Sequence, residues 1–90
     1  MTAALSTQIN VSQATCGASA EVVAARPQRR RVILKNIDTS ITIYIGIGTV
    51  TSSNSMWLLA GESIALDTTA AINALAASGS PVLAYIEEYV

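Results

Sequence analysis

The sequence predicts an all-β protein: a small antiparallel β-sandwich or jelly-roll-like barrel of about seven to eight short strands. Short runs of alternating apolar and polar residues recur along the chain at spacings of about 8–12 residues. Gly, Ser, Asn and Asp residues, which favour turns, separate these runs. The alternation is clearest at residues 82–90, V-L-A-Y-I-E-E-Y-V, which we expect to form a long final strand.

The chain of 90 residues is long enough for one domain. We expect residues 1–25 to form an N-terminal arm and first strand, and residues 26–90 to form the β-sandwich core. In the first segment, Ile9 and Val11 alternate with polar residues, and Glu21-Val22-Val23-Ala24 follows as a second brief strand. Arg26-Pro27 ends that strand, because proline donates no backbone hydrogen bond.

Residues 31–46 are predicted to form a β-hairpin at the centre of the fold. Val32-Ile33-Leu34 begins its first strand, and Ile41-Thr42-Ile43-Tyr44-Ile45 alternates as its second. Between them, Asp38-Thr39-Ser40 favours a turn, because these side chains can hydrogen-bond to nearby backbone groups. We therefore expect the two runs to pair with each other.

The elements that follow the predicted hairpin are short. We expect a bulged continuation at residues 47–51, where a glycine interrupts the strand pattern, and a loop at residues 52–55. Residues 56–59 are predicted to form a strand that enters the core, and residues 62–66 another strand. Ala60-Gly61 lies between these strands as a turn.

Residues 67–79 leave two interpretations open. Asp67 could cap a helix that runs to Ala77 and stops at Gly79, and the alanine content favours such a helix. The alternative is a strand, because I-N-A-L-A at residues 72–76 alternates and the neighbouring segments are also predicted as strands. The alternation favours the strand.

The composition limits the classes of function. Apolar residues make up 51% of the chain and charged residues 12%, against about 25% charged residues in a typical soluble domain. Such a weakly charged chain indicates a surface that is partly covered by copies of itself or by a partner. The net charge of −1 provides no overall attraction to nucleic acid or to a membrane, and no run reaches the roughly 20 apolar residues of a membrane helix.

Catalytic and metal-binding chemistry has few residues to draw on. The chain has no histidine, which removes the commonest general base and metal ligand. Cys16 is the single cysteine, so no intrachain disulfide can form, and we expect a small buried residue rather than a reactive thiol. Glu87 and Glu88 are adjacent on a predicted strand and face opposite sides, so they cannot act as a pair. We expect a protein that is not an enzyme and binds no cofactor or metal ion.

The candidate partner-contact residues are basic or aromatic: Arg26, Arg29, Arg30, Arg31, Trp57 and Tyr89. In a regular strand, Arg29 and Arg31 would face one side and Arg30 the other. The arginine run could be a solvated strand edge or a contact for an acidic protein surface, to which guanidinium groups bind in bidentate fashion. A nucleic-acid site is the least favoured interpretation, because it would need a wider basic surface with aromatic stacking platforms.

The aromatic residues allow several interpretations. Trp57 is expected to lie in the core, and the alternatives are an interface anchor or a platform on which sugars stack. Tyr85 and Tyr89 are predicted to share a strand face with Glu87. If exposed, that face would suit a glycan or a neighbouring subunit.

From Arg30 onward the chain contains a series of motifs in a recognisable order. They are R-R-V-I-L-K-N-I-D, Y-I-G, V-T-S-S-N, M-W-L-L-A-G-E-S and A-A-S-G-S, followed by the final strand. This order resembles the small β-sandwich module of tailed-phage virion proteins, which occurs in head decoration (cement) proteins and in capsid-fibre or tail-associated proteins. The resemblance covers roughly residues 29–88, and Ala60 stands where the module has a proline.

The resemblance implies a non-enzymatic structural protein of a phage particle, made in the host cytoplasm and displayed on the capsid surface. It implies the major capsid protein as partner, a homo-oligomer with a trimer favoured, and stabilisation of the assembled shell as the function. The alternative is a receptor- or glycan-binding module of a phage head or tail fibre. No membrane partner is expected.

Overall fold

The structure, a computed structural model, describes residues 8–90. It contains eight strands: β1 (Gln8–Thr15), β2 (Ala20–Val23), β3 (Arg29–Asn36), β4 (Ile43–Gly46), β5 (Met56–Leu58), β6 (Ser63–Leu66), β7 (Ile72–Ala76) and β8 (Val82–Tyr89). They form two four-stranded sheets with the orders β1-β8-β3-β6 and β2-β7-β4-β5, and all neighbouring strands are antiparallel. The predicted antiparallel β-sandwich is confirmed.

The strand order is that of an eight-stranded jelly roll. Most connections carry the chain from one sheet to the other, and within the described residues only β4 and β5 are both consecutive and paired. The first strand pairs with the last, beginning at Gln8 opposite Tyr89. The fold is therefore closed by contacts between residues that are distant in the sequence.

The predicted hairpin at residues 31–46 is wrong, because β3 and β4 lie in different sheets. Asn36, at the end of β3, is fully buried, and its Nδ2 donates hydrogen bonds to the carbonyls of Ile41 (2.7 Å) and Leu58 (2.9 Å). The Asp38 carboxylate accepts hydrogen bonds from the amides of Ser40 (2.9 Å) and Ile41 (2.8 Å). The predicted turn residues thus direct the chain across the sandwich instead of back along the same sheet.

The ambiguous stretch at residues 67–79 contains a strand, β7, and no helix. Ile72 and Ala74 are buried in the core, and Asn73 and Leu75 face the other side. The stretch pairs with β2 and β4 on its two sides. These contacts override the helical preference of its alanines, because packing usually outweighs intrinsic propensity.

The sandwich extends further towards the N-terminus than the predicted boundary between residues 25 and 26. β1 pairs with β8 along its whole length, and β2 pairs with β7. Residues 8–25 therefore supply one strand to each sheet. Residues 1–7 of the predicted arm and first strand lie outside the described residues. The continuation predicted at residues 47–51 is not a strand but part of the β4–β5 loop.

The core lies between the two sheets and is aliphatic. Its buried cluster consists of Cys16, Val23, Val32, Leu34, Ile43, Ile45, Leu58, Ile72, Ala74 and Leu83. Cys16 is buried, as expected for a structural residue, and burial raises the pKa of its thiol. A thiol with a raised pKa holds less of the reactive thiolate near neutral pH.

Candidate functional site

The most prominent candidate site is an apolar surface along β5, the edge strand of the second sheet. It consists of Ile47, Met56, Trp57 and Leu59, all of which are exposed, and we call it the β5 edge surface. Trp57 is 54% exposed, so the expectation that it lies in the core is wrong. Met56 and Trp57 are neighbours on β5 and face opposite sides of the strand, so this surface extends around the edge of the sheet. Exposed apolar patches of this kind mark interaction sites more often than single exposed residues do.

Strand alternation places Trp57 on the outer face of its sheet. Its neighbour Leu58 points into the core, so Trp57 faces the outer side of the sheet, directly opposite Tyr44 on β4. The two rings meet edge to face, with centroids 5.4 Å apart and an interplanar angle of 63°. The indole Nε1 donates a hydrogen bond to the Ser52 carbonyl at 2.8 Å. The ring is therefore held in place while much of its surface remains in contact with solvent.

The loop between β4 and β5 is ordered by its own hydrogen bonds. Asn54 Oδ1 accepts hydrogen bonds from the Thr51 amide (2.6 Å) and hydroxyl (3.0 Å), and Asn54 Nδ2 donates to the Thr49 carbonyl (3.1 Å). The Val50 amide donates to Ser19 Oγ at 2.9 Å, and the Val50 side chain is buried outside the central core cluster. A loop held in this way loses little further freedom when a partner binds.

A cavity of about 390 Å³ lies beside this surface, at the open side of the sandwich between edge strands β5 and β6. Its lining is mainly aliphatic and includes Ile47 and Met56 of the β5 edge surface. Asp67, Thr68 and Asn54 supply polar groups. The volume falls within the range of small-molecule sites, about 300–1,000 Å³, and could also receive an apolar side chain of a partner.

The predicted arginine contacts separate in the structure, because β3 contains a bulge. Arg29 pairs with Tyr89 and Arg31 with Glu88, so Arg30 is an extra residue on β3. The bulge reverses the alternation: Arg29 points inward and is 3% exposed, whereas Arg31 is exposed. The expectation that Arg29 and Arg31 face the same side is wrong.

The Arg29 guanidinium is buried inside the protein. It donates hydrogen bonds to the carbonyls of Thr68 (2.7 Å), Ala24 (3.0 Å) and Ala70, and to Glu87 Oε2 (2.9 Å). These acceptors come from the β2–β3 connection, the β6–β7 connection and β8. Arg29 therefore ties three parts of the chain together, and its donors are not available to a partner.

Glu87 lies at the centre of the same cluster. Its carboxylate accepts a hydrogen bond from Asn10 Nδ2 at 3.0 Å and forms ion pairs with Arg29 and, at 3.5 Å, with Arg26. Burial alone would raise the pKa of Glu87, but the hydrogen bonds from Asn10 and Arg29 and the charges of both arginines lower it overall. Arg26 also stacks on Tyr89, with Cζ 4.1 Å from the ring centroid.

The remaining candidates lie in more exposed places. Arg31 pairs with Asp67 at 3.2 Å, and Arg30 is exposed. The strand face shared by Tyr85 and Glu87 points into the sandwich, so it does not form the exposed aromatic and acidic surface considered for glycans. Arg26, Arg29 and Tyr89 form one cluster, whereas Trp57 lies on β5 in the other sheet.

Comparison with known proteins identifies no relative. The chain matches no protein-family model, and searches of curated proteins and of solved structures return no significant match. Residues 8–90 include no helix of the length and hydropathy needed to cross a membrane. Over the same residues, no three His, Cys, Asp or Glu side chains lie close enough together to hold a metal ion.

Three members of the β5 edge surface, Ile47, Met56 and Leu59, are not among the contact residues predicted from the sequence. The missed signal was the shortness of β5, which has three residues between a polar loop and a turn. Such a strand is typical of a sheet edge. At an edge, apolar residues on either side of the strand can remain in contact with solvent.

Proposed function

We propose that this protein is a structural component of a phage particle that binds the assembled capsid shell and stabilises it. The motif resemblance supports a location in a phage particle. The jelly roll is also a common architecture of viral capsid domains. Fold alone does not specify function, so the proposal depends on a surface suited to a protein partner.

The observation that carries the proposal is the β5 edge surface. Trp57 is held by Tyr44 and Ser52 and remains 54% exposed. A fixed aromatic side chain beside aliphatic residues and a cavity is the usual composition of an interface hot spot. We propose that the major capsid protein covers this surface and places an apolar side chain in the cavity.

Stabilisation would follow from mass action. A protein that binds the assembled shell more tightly than free capsid subunits shifts the equilibrium towards the shell. Many copies on one particle add their contributions, and an oligomer would increase the effective concentration of each copy. The trimer implied by the resemblance and the location on the virion surface are part of this proposal.

The test uses expanded capsid shells that lack this protein. We expect the wild-type protein to bind them and to raise their melting temperature, and Trp57→Ala to bind about tenfold more weakly or worse. Ile37→Ala is the matched control, because Ile37 is an exposed aliphatic residue outside the β5 edge surface. Absence of wild-type binding would remove the capsid function, and full binding by Trp57→Ala would remove the proposed contact.

A second candidate function is glycan or receptor binding by a phage fibre. The exposed indole of Trp57 beside Tyr44 favours it, because sugars stack on aromatic rings that are held in place. Trp57 is the only tryptophan, so its fluorescence reports on this site directly. A shift in emission with a panel of oligosaccharides, together with protection from acrylamide quenching, would support the glycan function in place of the capsid one.

A further inference from the structure

The outer face of the sheet β1-β8-β3-β6 forms a second apolar surface, on the opposite side of the sandwich from Trp57. Its central row crosses all four strands through paired residues: Val11, Ile86, Ile33 and Ala65. Val11 is 64% exposed and Ile86 is 36% exposed. Ile9 on β1 and Ala84 on β8 extend the apolar surface to either side of this row.

Charged residues on this face are arranged in a definite pattern. In the row on one side, Ile9 lies beside Glu88 and Glu88 beside Arg31. In the row on the other side, Ala84 lies beside Lys35. Among residues 8–90, Glu88 takes part in no ion pair, and Arg31 pairs only with the exposed Asp67. The face thus presents a negative and a positive group at the same height on its two central strands, β8 and β3.

This arrangement is complementary to itself. If two copies face each other across a two-fold axis parallel to the strands and midway between β8 and β3, β8 of each copy lies over β3 of the other. Ile86 then faces Ile33, and Glu88 faces Arg31, in both directions. An axis across the strands would instead bring Arg31 over Lys35, which places like charges together.

We propose that a second copy of this chain binds the outer face of the β1-β8-β3-β6 sheet through this two-fold axis. The contact buries the central aliphatic row and forms two symmetric Arg31–Glu88 ion pairs at its margin. Three strands of eight residues and one of four, spaced about 4.8 Å apart, present on the order of 500 Å² per copy. The total of about 1,000 Å² reaches the lower limit of specific interfaces.

The pairing does not depend on the proposed capsid function, because it uses the other sheet. It also differs from the trimer implied by the resemblance. A trimer requires two different surfaces on each subunit, whereas a two-fold contact requires one surface that complements itself. The charge pattern of this face satisfies the second condition.

The first test is the mass of the protein in solution. We expect sedimentation equilibrium to show reversible association to twice the 9.3 kDa of one chain as the concentration rises. The double variant Val11→Thr, Ile86→Thr keeps the β-branched shape but adds hydroxyls, and it should weaken dimerisation about tenfold or more. Ile47→Thr changes an exposed isoleucine in the β4–β5 loop, outside this face, and should leave dimerisation unchanged.

A charge exchange tests the orientation of the two copies. Arg31→Glu and Glu88→Arg each place like charges opposite one another and should weaken dimerisation about tenfold. The double variant restores opposite charges and should recover wild-type dimerisation within about threefold. Circular dichroism and urea unfolding of each variant would show that the monomer fold is retained.

Each remaining outcome would overturn the proposal. A monomer at all concentrations would exclude the pairing. A trimer, or a dimer that the Val11 and Ile86 changes leave intact, would assign association to another surface. Failure of the charge exchange to restore association would exclude this two-fold arrangement. A monomer whose shell binding is lost in the Val11 and Ile86 variant would assign the face to a capsid partner instead.

Discussion

Arg29 illustrates how one residue changes its role between sequence and structure. In the sequence it is the first of three consecutive arginines and a candidate for contact with a partner. In the structure it is buried, and its guanidinium donates to three carbonyls and to Glu87. A buried charge is tolerated only when it is paired and hydrogen-bonded, as Arg29 is.

Replacement of Arg29 should therefore destabilise the fold strongly. We expect Arg29→Met to lower the free energy of unfolding by about 3 kcal/mol or more, because Glu87 would remain buried without its main partner. Urea unfolding followed by circular dichroism measures the change. Arg30→Met is the matched control: Arg30 is exposed, so its effect should stay within about 0.5 kcal/mol. Equal effects of the two changes would contradict a structural role for Arg29.

Glu87 makes stability depend on acid pH. Its pKa is lower in the folded protein than its usual value, so it stabilises the fold at pH values above the unfolded pKa of about 4.3. This contribution is lost as the pH falls through the lower folded pKa. We expect Glu87→Gln to be less stable than wild type at neutral pH and to lose less stability between about pH 5 and pH 2.

Urea unfolding at a series of pH values measures that dependence. Glu88→Gln is the control, because Glu88 lies on the opposite side of the same strand. We expect this variant to lose as much stability as wild type when the pH falls, since it still contains Glu87. Parallel pH profiles for wild type and Glu87→Gln would contradict the proposed role of the Arg29–Glu87 cluster.

At the scale of elements, the β5–β6 turn shows sequence and structure in agreement. Ala60-Gly61 forms the predicted turn: the Glu62 amide donates to the Leu59 carbonyl at 2.9 Å, and Gly61 has a φ of +82°. This φ suits the third position of a type II turn, where glycine is required, and proline is common at the preceding position. Ala60 occupies that preceding position.

Ala60→Pro should stabilise the protein by about 0.4–1 kcal/mol, because proline restricts the unfolded chain and fits this turn. No hydrogen bond from the Ala60 amide occurs in the part of the chain that the structure covers, so none should be lost. Thermal unfolding should show a rise of a few degrees. Gly61→Ala is the opposing control and should destabilise, because alanine is strained at positive φ. A lower melting temperature for Ala60→Pro would contradict the turn assignment.

At the scale of the whole molecule, the jelly roll leaves the two outer sheet faces with different surfaces. One carries Trp57 beside an ordered loop, and the other carries the aliphatic row between Arg31–Glu88 and Lys35. The low charge of the sequence already indicated covered surfaces. The structure adds that the apolar residues lie on two separate faces. If both proposals hold, one copy would engage a shell through the first face and a second copy through the other.

The sequence alone determined the fold class, most strand positions and the burial of Cys16, because alternation with period two and turn residues are local signals. It also determined that Glu87 and Glu88 face opposite sides. It indicated Trp57 and Tyr89 as candidate partner contacts, but it did not indicate which residues surround them. At residues 72–76 the alternation favours the strand β7, although the alanines favour a helix.

The pairing of the strands becomes apparent only in the folded structure. β3 and β4 were predicted to pair because they are consecutive, but Asn36 and Asp38 direct the chain into the other sheet. The exposure of Trp57 depends on β5 lying at a sheet edge, and the burial of Arg29 depends on a bulge that forms only against β8. Pairing and register arise from contacts between distant residues, so no local pattern around these positions specifies them.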